Sequence, residues 1–167
     1  LNYRTDGEFR KAMDEIKAAT SKPFGINRIT NKSNILLEEQ LKTCLEYKVA
    51  FIITSLGSPQ KTVDACKPLG IKVFADVIDL DYAKKVEAMG VDAIIAVNKE
   101  AGGHAGRMTP RDIITTLKKH TKIPVISAGG VGNYHQMKQM LDYGACGVSV
   151  GSPFIASDEA PVTHDYK

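Results

Sequence analysis

Ala93-Ile94-Ile95-Ala96-Val97 runs into Glu100-Ala101-Gly102-Gly103-His104-Ala105-Gly106. The first five residues form an unbroken apolar run bounded by turn-formers, the pattern of a strand buried on both faces. The seven that follow set one imidazole among three glycines, which leaves room for a ligand to approach. A strand buried on both faces belongs to a parallel sheet covered by helices. The histidine would then sit at a strand end, where such sheets bind ligands. A flexible surface turn that happens to contain a histidine is the plain alternative, and the rest of the chain decides between them.

Outward from this stretch the chain alternates strand and helix. Towards the N-terminus, Ile71 to Val77, Val49 to Thr54 and Pro23 to Asn27 read as strands. Helices fall between them, over about 80–89, about 59–67 and around Leu37, Leu41 and Leu45. A first amphipathic helix covers about 5–20, with Phe9, Ala12, Met13 and Ile16 on its inner face. Towards the C-terminus a helix opens at Thr109-Pro110, where proline suits the first turn. Strand Ile123 to Ala128 follows, then a helix over Tyr134 to Tyr143 with Met137, Met140 and Leu141 inward, and a last strand from Cys146 to Val150. Alternation of this kind predicts a parallel α/β architecture. The short, regular repeat favours a TIM (β/α)8 barrel over an open sheet. A full barrel has eight strands and typically ~250 residues, so six strands predict a barrel domain that is incomplete here.

Two glycine-bearing strand ends place the units. Ala128-Gly129-Gly130-Val131-Gly132 and Val150-Gly151-Ser152 each follow a strand and precede a helical stretch. Backbone N–H groups at such ends attract anions. In barrels the last two strand-loop pairs often form a phosphate site. Singly, each reads as a tight turn; on consecutive units, the pair reads as a phosphate cup. The six strands are then strands three to eight, the first two units precede Leu1, and residues 1–167 are one domain without a linker.

Composition bounds the function. The chain has 167 residues, 43% hydrophobic and 25% charged, with a net charge of +3 spread along its length. No basic stripe, aromatic platform or like-charge run points to nucleic acid, and no apolar run is long enough for a membrane span. Cys44, Cys66 and Cys146 lack CxxC spacing, which suggests reduced thiols in a cytoplasmic protein; all three read as small core hydrophobes. No histidine and carboxylate set has metal-ligand spacing. His120 and His135 read as surface residues at helix ends, and His164 lies in the tail. Asp76 and Asp79 follow a strand, and capping of the next helix is the favoured reading, above all for Asp79.

The motif Glu100 to Gly106, with Ile123 to Val131, Gly147 to Ser152 and Pro23 to Asn27, resembles the nitronate monooxygenase family, formerly called 2-nitropropane dioxygenases, over nearly the whole chain. That family also includes FabK-type flavin enoyl-acyl-carrier-protein reductases and quinone reductases. The resemblance implies a TIM barrel that binds FMN. It implies that His104 is the base that removes a substrate α-proton. It implies flavin contacts from Asn27, Gly102 and Gly103, and a flavin phosphate site at Gly129, Gly130, Gly151 and Ser152. The implied substrates are small molecules, a nitronate or nitroalkane with O2, or an enoyl thioester with NAD(P)H, and an oligomer is compatible with the resemblance. Where the family usually continues Gly-Thr-Arg-Phe, this chain has Gly151-Ser152-Pro153-Phe154 and no arginine. The family's first strand, with its flavin-contacting loop, is outside the chain. The tail from Gly129 to Pro161 also resembles the phosphate end of inosine monophosphate dehydrogenase, but the loop after strand six lacks the cysteine that enzyme needs. A non-redox barrel for a phosphorylated metabolite, an isomerase or lyase, accounts for the cup equally well and leaves the histidine motif unexplained.

Overall fold

A computed structural model of the chain describes residues 3–30, 35–160, 162–163 and 165. Its strands and helices alternate, and the described residues group into two compact units, one from within 1–76 with 86–92 and one from within 77–85 with 93–167.

The first unit opens with α1 (Asp6–Ala19), capped where the Thr5 hydroxyl accepts from the Glu8 amide. This cap satisfies one of the donors that every helix start leaves unpaired. Then come β1 (Gly25–Ile29), α2 (Leu37–Glu46), β2 (Phe51–Ser55), α3 (Gln60–Cys66) and β3 (Lys72–Val77). The three strands are parallel and in sequence order, with Ile26 opposite Ile52 and Ile52 opposite Val73. Burial alternates along each strand. Ile26 and Arg28, Ile52 and Thr54, and Val73 and Ala75 are buried, while Asn27, Ser55 and Asp76 lie on the opposite, more open face. Phe9 and Met13 from α1, Cys44 from α2 and Cys66 from α3 complete the core at 1% exposure or less. Each large apolar side chain so buried contributes about 1.5–3 kcal/mol.

Helix α4 (Leu80–Ala88) leads to the second unit's strands, β4 (Ala93–Val97), β5 (Val125–Ala128) and β6 (Gly147–Ser149), with α5 (Pro110–His120) and α6 (Tyr134–Asp142) between them and α7 (Ser152–Ile155) last. These strands too are parallel, with Ile94 opposite Val125 and Ile126 opposite Gly147. Ala93 to Ala96 are buried without a break, as the apolar run predicts for a covered parallel strand. Helix α5 buries Ile113, Ile114 and Leu117 completely. The Thr109 hydroxyl accepts from the Asp112 amide at its start, and Lys118, Lys119 and His120 occupy its last turn, where cations suit the helix dipole.

Several boundaries move. The strand expected over Pro23 to Asn27 starts at Gly25 and ends at Ile29, since proline lacks the N–H that a ladder needs. The last strand shortens to three residues. Ile16 and Leu141, expected inward, are 37% and 41% exposed, because they lie at the margins of their helices' apolar stripes. Cys44 and Cys66 are buried as expected, whereas Cys146 is exposed, at a bend just before β6. His120 and His135 are exposed, and His164 lies outside the described residues. No helix among the described residues is long and apolar enough to cross a membrane.

Candidate functional site

The loop after β4 is fastened at its base and open at its tip. The Lys99 amide donates to the Met108 carbonyl at 2.9 Å and closes the loop's neck. Gly106 is buried against the Val97 carbonyl, where a side chain would collide with backbone. At the tip, Gly102, Gly103 and His104 are exposed, and a Cβ added at either glycine meets nothing within 4 Å. The His104 ring makes no hydrogen bond to another described residue. An imidazole with clear space and no committed partner is available for proton transfer.

The glycine loop after β5 packs against the foot of this one. Asn98 is fully buried. Its amide nitrogen donates to the Gly129 carbonyl at 3.0 Å, and its side-chain oxygen accepts from the Glu100 amide at 2.8 Å. Its backbone N–H donates to the Ala128 carbonyl at 3.0 Å. One asparagine thus ties the histidine loop to the Gly129-Gly130 loop. The approach is close enough to require glycine. A Cβ on Gly129 would lie 2.5 Å from the Ala101 nitrogen and 2.6 Å from the Asn98 oxygen, at a φ of +108°. Gly129→Ala therefore combines left-handed strain with overpacking, and is expected to lower stability by about 2–3 kcal/mol in a denaturant melt.

Gly151 and Ser152 begin α7 beyond β6, the strand paired with β5, so the two glycine loops emerge from neighbouring strand ends. The amides of Gly129, Gly130, Gly151 and Ser152 donate to no acceptor among the described residues. Gly151 has open space at its Cβ position, and Ser152 is exposed. Unclaimed amides, a free hydroxyl and glycine-cleared space are the chemistry a phosphate group needs, so these residues fit the phosphate end of FMN. The Glu100 carboxylate, which lies close to Gly130, belongs to a hollow of about 340 Å³ lined by Arg111, Gln136 and Tyr143 on the side of α5 and α6.

The remaining residue assigned by resemblance, Asn27, belongs to the first unit. It is exposed on β1, and the Ser55 hydroxyl of β2 lies between it and Asp76 of β3, within hydrogen-bond distance of both. The Ser55 hydroxyl lies 3.0 Å from the Asn27 side-chain oxygen and 2.5 Å from an Asp76 carboxylate oxygen. Asp76 does not cap the helix after it. That role falls to Asp79, whose carboxylate accepts from the Tyr82 amide at 2.8 Å. Burial raises the Asp76 carboxyl above the ordinary carboxylate range, against the opposing pull of the Ser55 hydrogen bond. An acid held more protonated in the folded state makes stability fall as pH rises through that raised value. Asp76→Asn should therefore be more stable than the parent at neutral pH, with the advantage vanishing in acid, as paired thermal melts at the two pH values would show.

Of the expected site residues, the structure gathers Gly102, Gly103, His104, Gly129, Gly130, Gly151 and Ser152 on adjoining loops of one unit. Asn98 and Ser55 were not anticipated. No set of three His, Cys, Asp or Glu residues among the described ones is arranged to hold a metal.

A family model described as nitronate monooxygenase matches residues 36–167. The chain belongs to the nitronate monooxygenase family. Within it, the chain is 30% identical to a nitronate monooxygenase of Paraburkholderia phytofirmans over 204 aligned residues, covering 95% of this chain and 56% of that one. It is 29% identical to a (3aS,4S,5R,7aS)-5-hydroxy-7a-methyl-1-oxo-octahydro-1H-indene-4-carboxyl-CoA dehydrogenase of Rhodococcus jostii, covering 96% of this chain and 45% of that one. Among solved structures, FabK from Thermotoga maritima superposes with a TM-score of 0.90 at 34% identity, over 97% of this chain and 51% of that one. The chain thus spans about half the length of the relatives it matches. Its alternating units are six βα units of the TIM-barrel fold of this family.

Proposed function

We propose that this chain forms the phosphate-binding and base-bearing part of an FMN-dependent oxidoreductase that oxidises nitroalkanes and nitronates with O2. The observation that supports it most is the pairing of an exposed, uncommitted His104 with a glycine loop of unclaimed amides, the two joined through Asn98. Gly129, Gly130, Gly151 and Ser152 hold the FMN phosphate through backbone N–H groups and one hydroxyl. Gly102 and Gly103 leave room for the ring beside the histidine. When bound, FMN supplies the electron acceptor or donor for the reaction. A ring nitrogen of His104 takes the proton from the carbon that bears the nitro group, and the C–H electron pair stays on the substrate, which becomes the nitronate. The imidazolium then returns its proton to solvent.

The 34% identity with FabK favours a second reading. In an NAD(P)H-dependent enoyl-thioester reductase, His104 would orient the thioester or deliver a proton to it. Adding FMN to the purified protein and recording its visible absorption and fluorescence tests both. A saturable change supports a flavoprotein. A protein that leaves the flavin spectrum untouched overturns both readings and returns the non-redox phosphate barrel. With flavin bound, nitroalkane turnover under O2 against anaerobic reoxidation of NADH by an enoyl thioester separates the two.

A further inference from the structure

Among the described residues, Arg28 is a guanidinium with no carboxylate in ion-pair contact. It lies on the helix-facing side of β1 and is 1% exposed. One terminal nitrogen donates to the Thr62 hydroxyl at 2.9 Å, and the other donates to the Leu37 carbonyl. Its Nε has no partner among the described residues. No carboxylate forms an ion pair with it among the described residues. Glu38 attracts it only from a distance and is paired with Lys61 at 2.9 Å on the exposed surface. The other ionisable groups that act on it are the thiols of Cys44 and Cys66, which burial pushes up to about 12 and about 11, so both are neutral at physiological pH. A buried cation without an ion-pair partner costs several kcal/mol, and proteins seldom keep one without a use for it.

The use is suggested by the space beside it. Arg28 lines a cavity of about 360 Å³ between α2, α3 and the loop after β2, a size that suits a small ligand. Lys61 and Ser58 add donors, and Leu37, Leu41 and Leu56 form an apolar wall. Among the described residues the lining carries two cations and one carboxylate, and so a net positive charge. Leu56 is 47% exposed and held at a φ of +57°, an unusual posture for a leucine. A charged floor with an apolar wall describes the complement of an amphipathic anion.

We propose that this cavity is a binding site for a small organic anion, a carboxylate or phosphate head on a short hydrocarbon body, with the head drawn to Arg28 and Lys61 and the body laid against Leu37, Leu41 and Leu56. The site lies within the first unit and does not depend on the flavin reading.

Hexanoate, hexyl phosphate, inorganic phosphate and hexanol serve as probes, in calorimetric titrations and thermal melts of the whole chain. Both amphipathic anions should bind and raise the melting temperature. Inorganic phosphate, which lacks the body, should bind more weakly, and neutral hexanol should not bind measurably. The stronger of hexanoate and hexyl phosphate identifies the preferred head. Arg28→Met should weaken anion binding by roughly tenfold or more, the loss expected for a charged hydrogen-bonding partner. This variant exchanges a buried charge for an apolar chain of similar length, a change that proteins commonly tolerate. Lys61→Ala and Glu38→Gln alter exposed side chains only, and should weaken and strengthen binding respectively. The proposal is overturned if neither amphipathic anion binds the parent, if hexanol binds as well as hexanoate, or if Arg28→Met and Glu38→Gln leave the affinity unchanged.

Discussion

His104→Ala should slow oxidation of a neutral nitroalkane by about 10²–10⁴-fold, the range set by losing a positioned general base. The same variant should oxidise a nitronate, already deprotonated in solution, at close to the parent rate. The contrast isolates the role, because a substitution that merely damaged the site would slow both substrates. Structural side effects are expected to be small. The ring is exposed, makes no hydrogen bond to another described residue and sits at a loop tip where neighbouring glycines face open space. Flavin affinity should stay near that of the parent, since the proposed phosphate contacts are backbone amides after other strands. Steady-state rates on the two substrate forms, with a flavin titration, check all three statements. Equal slowing on both forms would remove His104 from the proton-transfer step.

The order of elements was legible because this fold writes it in local patterns. Ala93 to Val97 could be only a covered strand, and the Thr109-Pro110 pair marks the start of α5 to the residue. Boundaries were less legible where a ladder partner, rather than the strand's own composition, decides where pairing stops. Ile29 stays in β1 because it pairs with Ser55, and no local feature of Ile29 announces that. The candidate site was legible in its glycines and its histidine, whose spacing is unusual. It was not legible in Asn98, which reads as an ordinary residue after a strand. Its importance comes from the Gly129 carbonyl, 31 residues away in sequence. Ser55 and Asp76 were hidden for a related reason. Each is one polar residue near the end of an apolar strand, and only the register of three strands shows that they share a face with Asn27. Strand alternation supplies a usable signal here: polar residues at alternating positions on the more open face near successive strand ends are candidates for one cluster.

Asn98 should be the least replaceable polar side chain of the second unit. Asn98→Leu removes two hydrogen bonds and leaves the Gly129 carbonyl and Glu100 amide without them, at an expected cost of about 3–5 kcal/mol. Size alone would not explain such a loss, because leucine nearly conserves the volume. Asn98→Asp separates the contributions. Its carboxylate still accepts from the Glu100 amide, but it places a second oxygen where the amide nitrogen donated to the Gly129 carbonyl. Burial and that oxygen–oxygen contact both favour the protonated acid, which regains a donor towards Gly129. The carboxyl is thereby raised in the folded state, so the variant's stability falls as pH rises through that value and recovers on acidification. Relative to the parent, Asn98→Asp should be strongly destabilised at neutral pH and approach parity in acid, while Asn98→Leu stays destabilised at both. Denaturant melts of the three proteins at two pH values distinguish a hydrogen-bonded tie from simple packing. A pH-independent deficit in Asn98→Asp would mean that the donor to Gly129 is not what holds the histidine loop against the glycine loop.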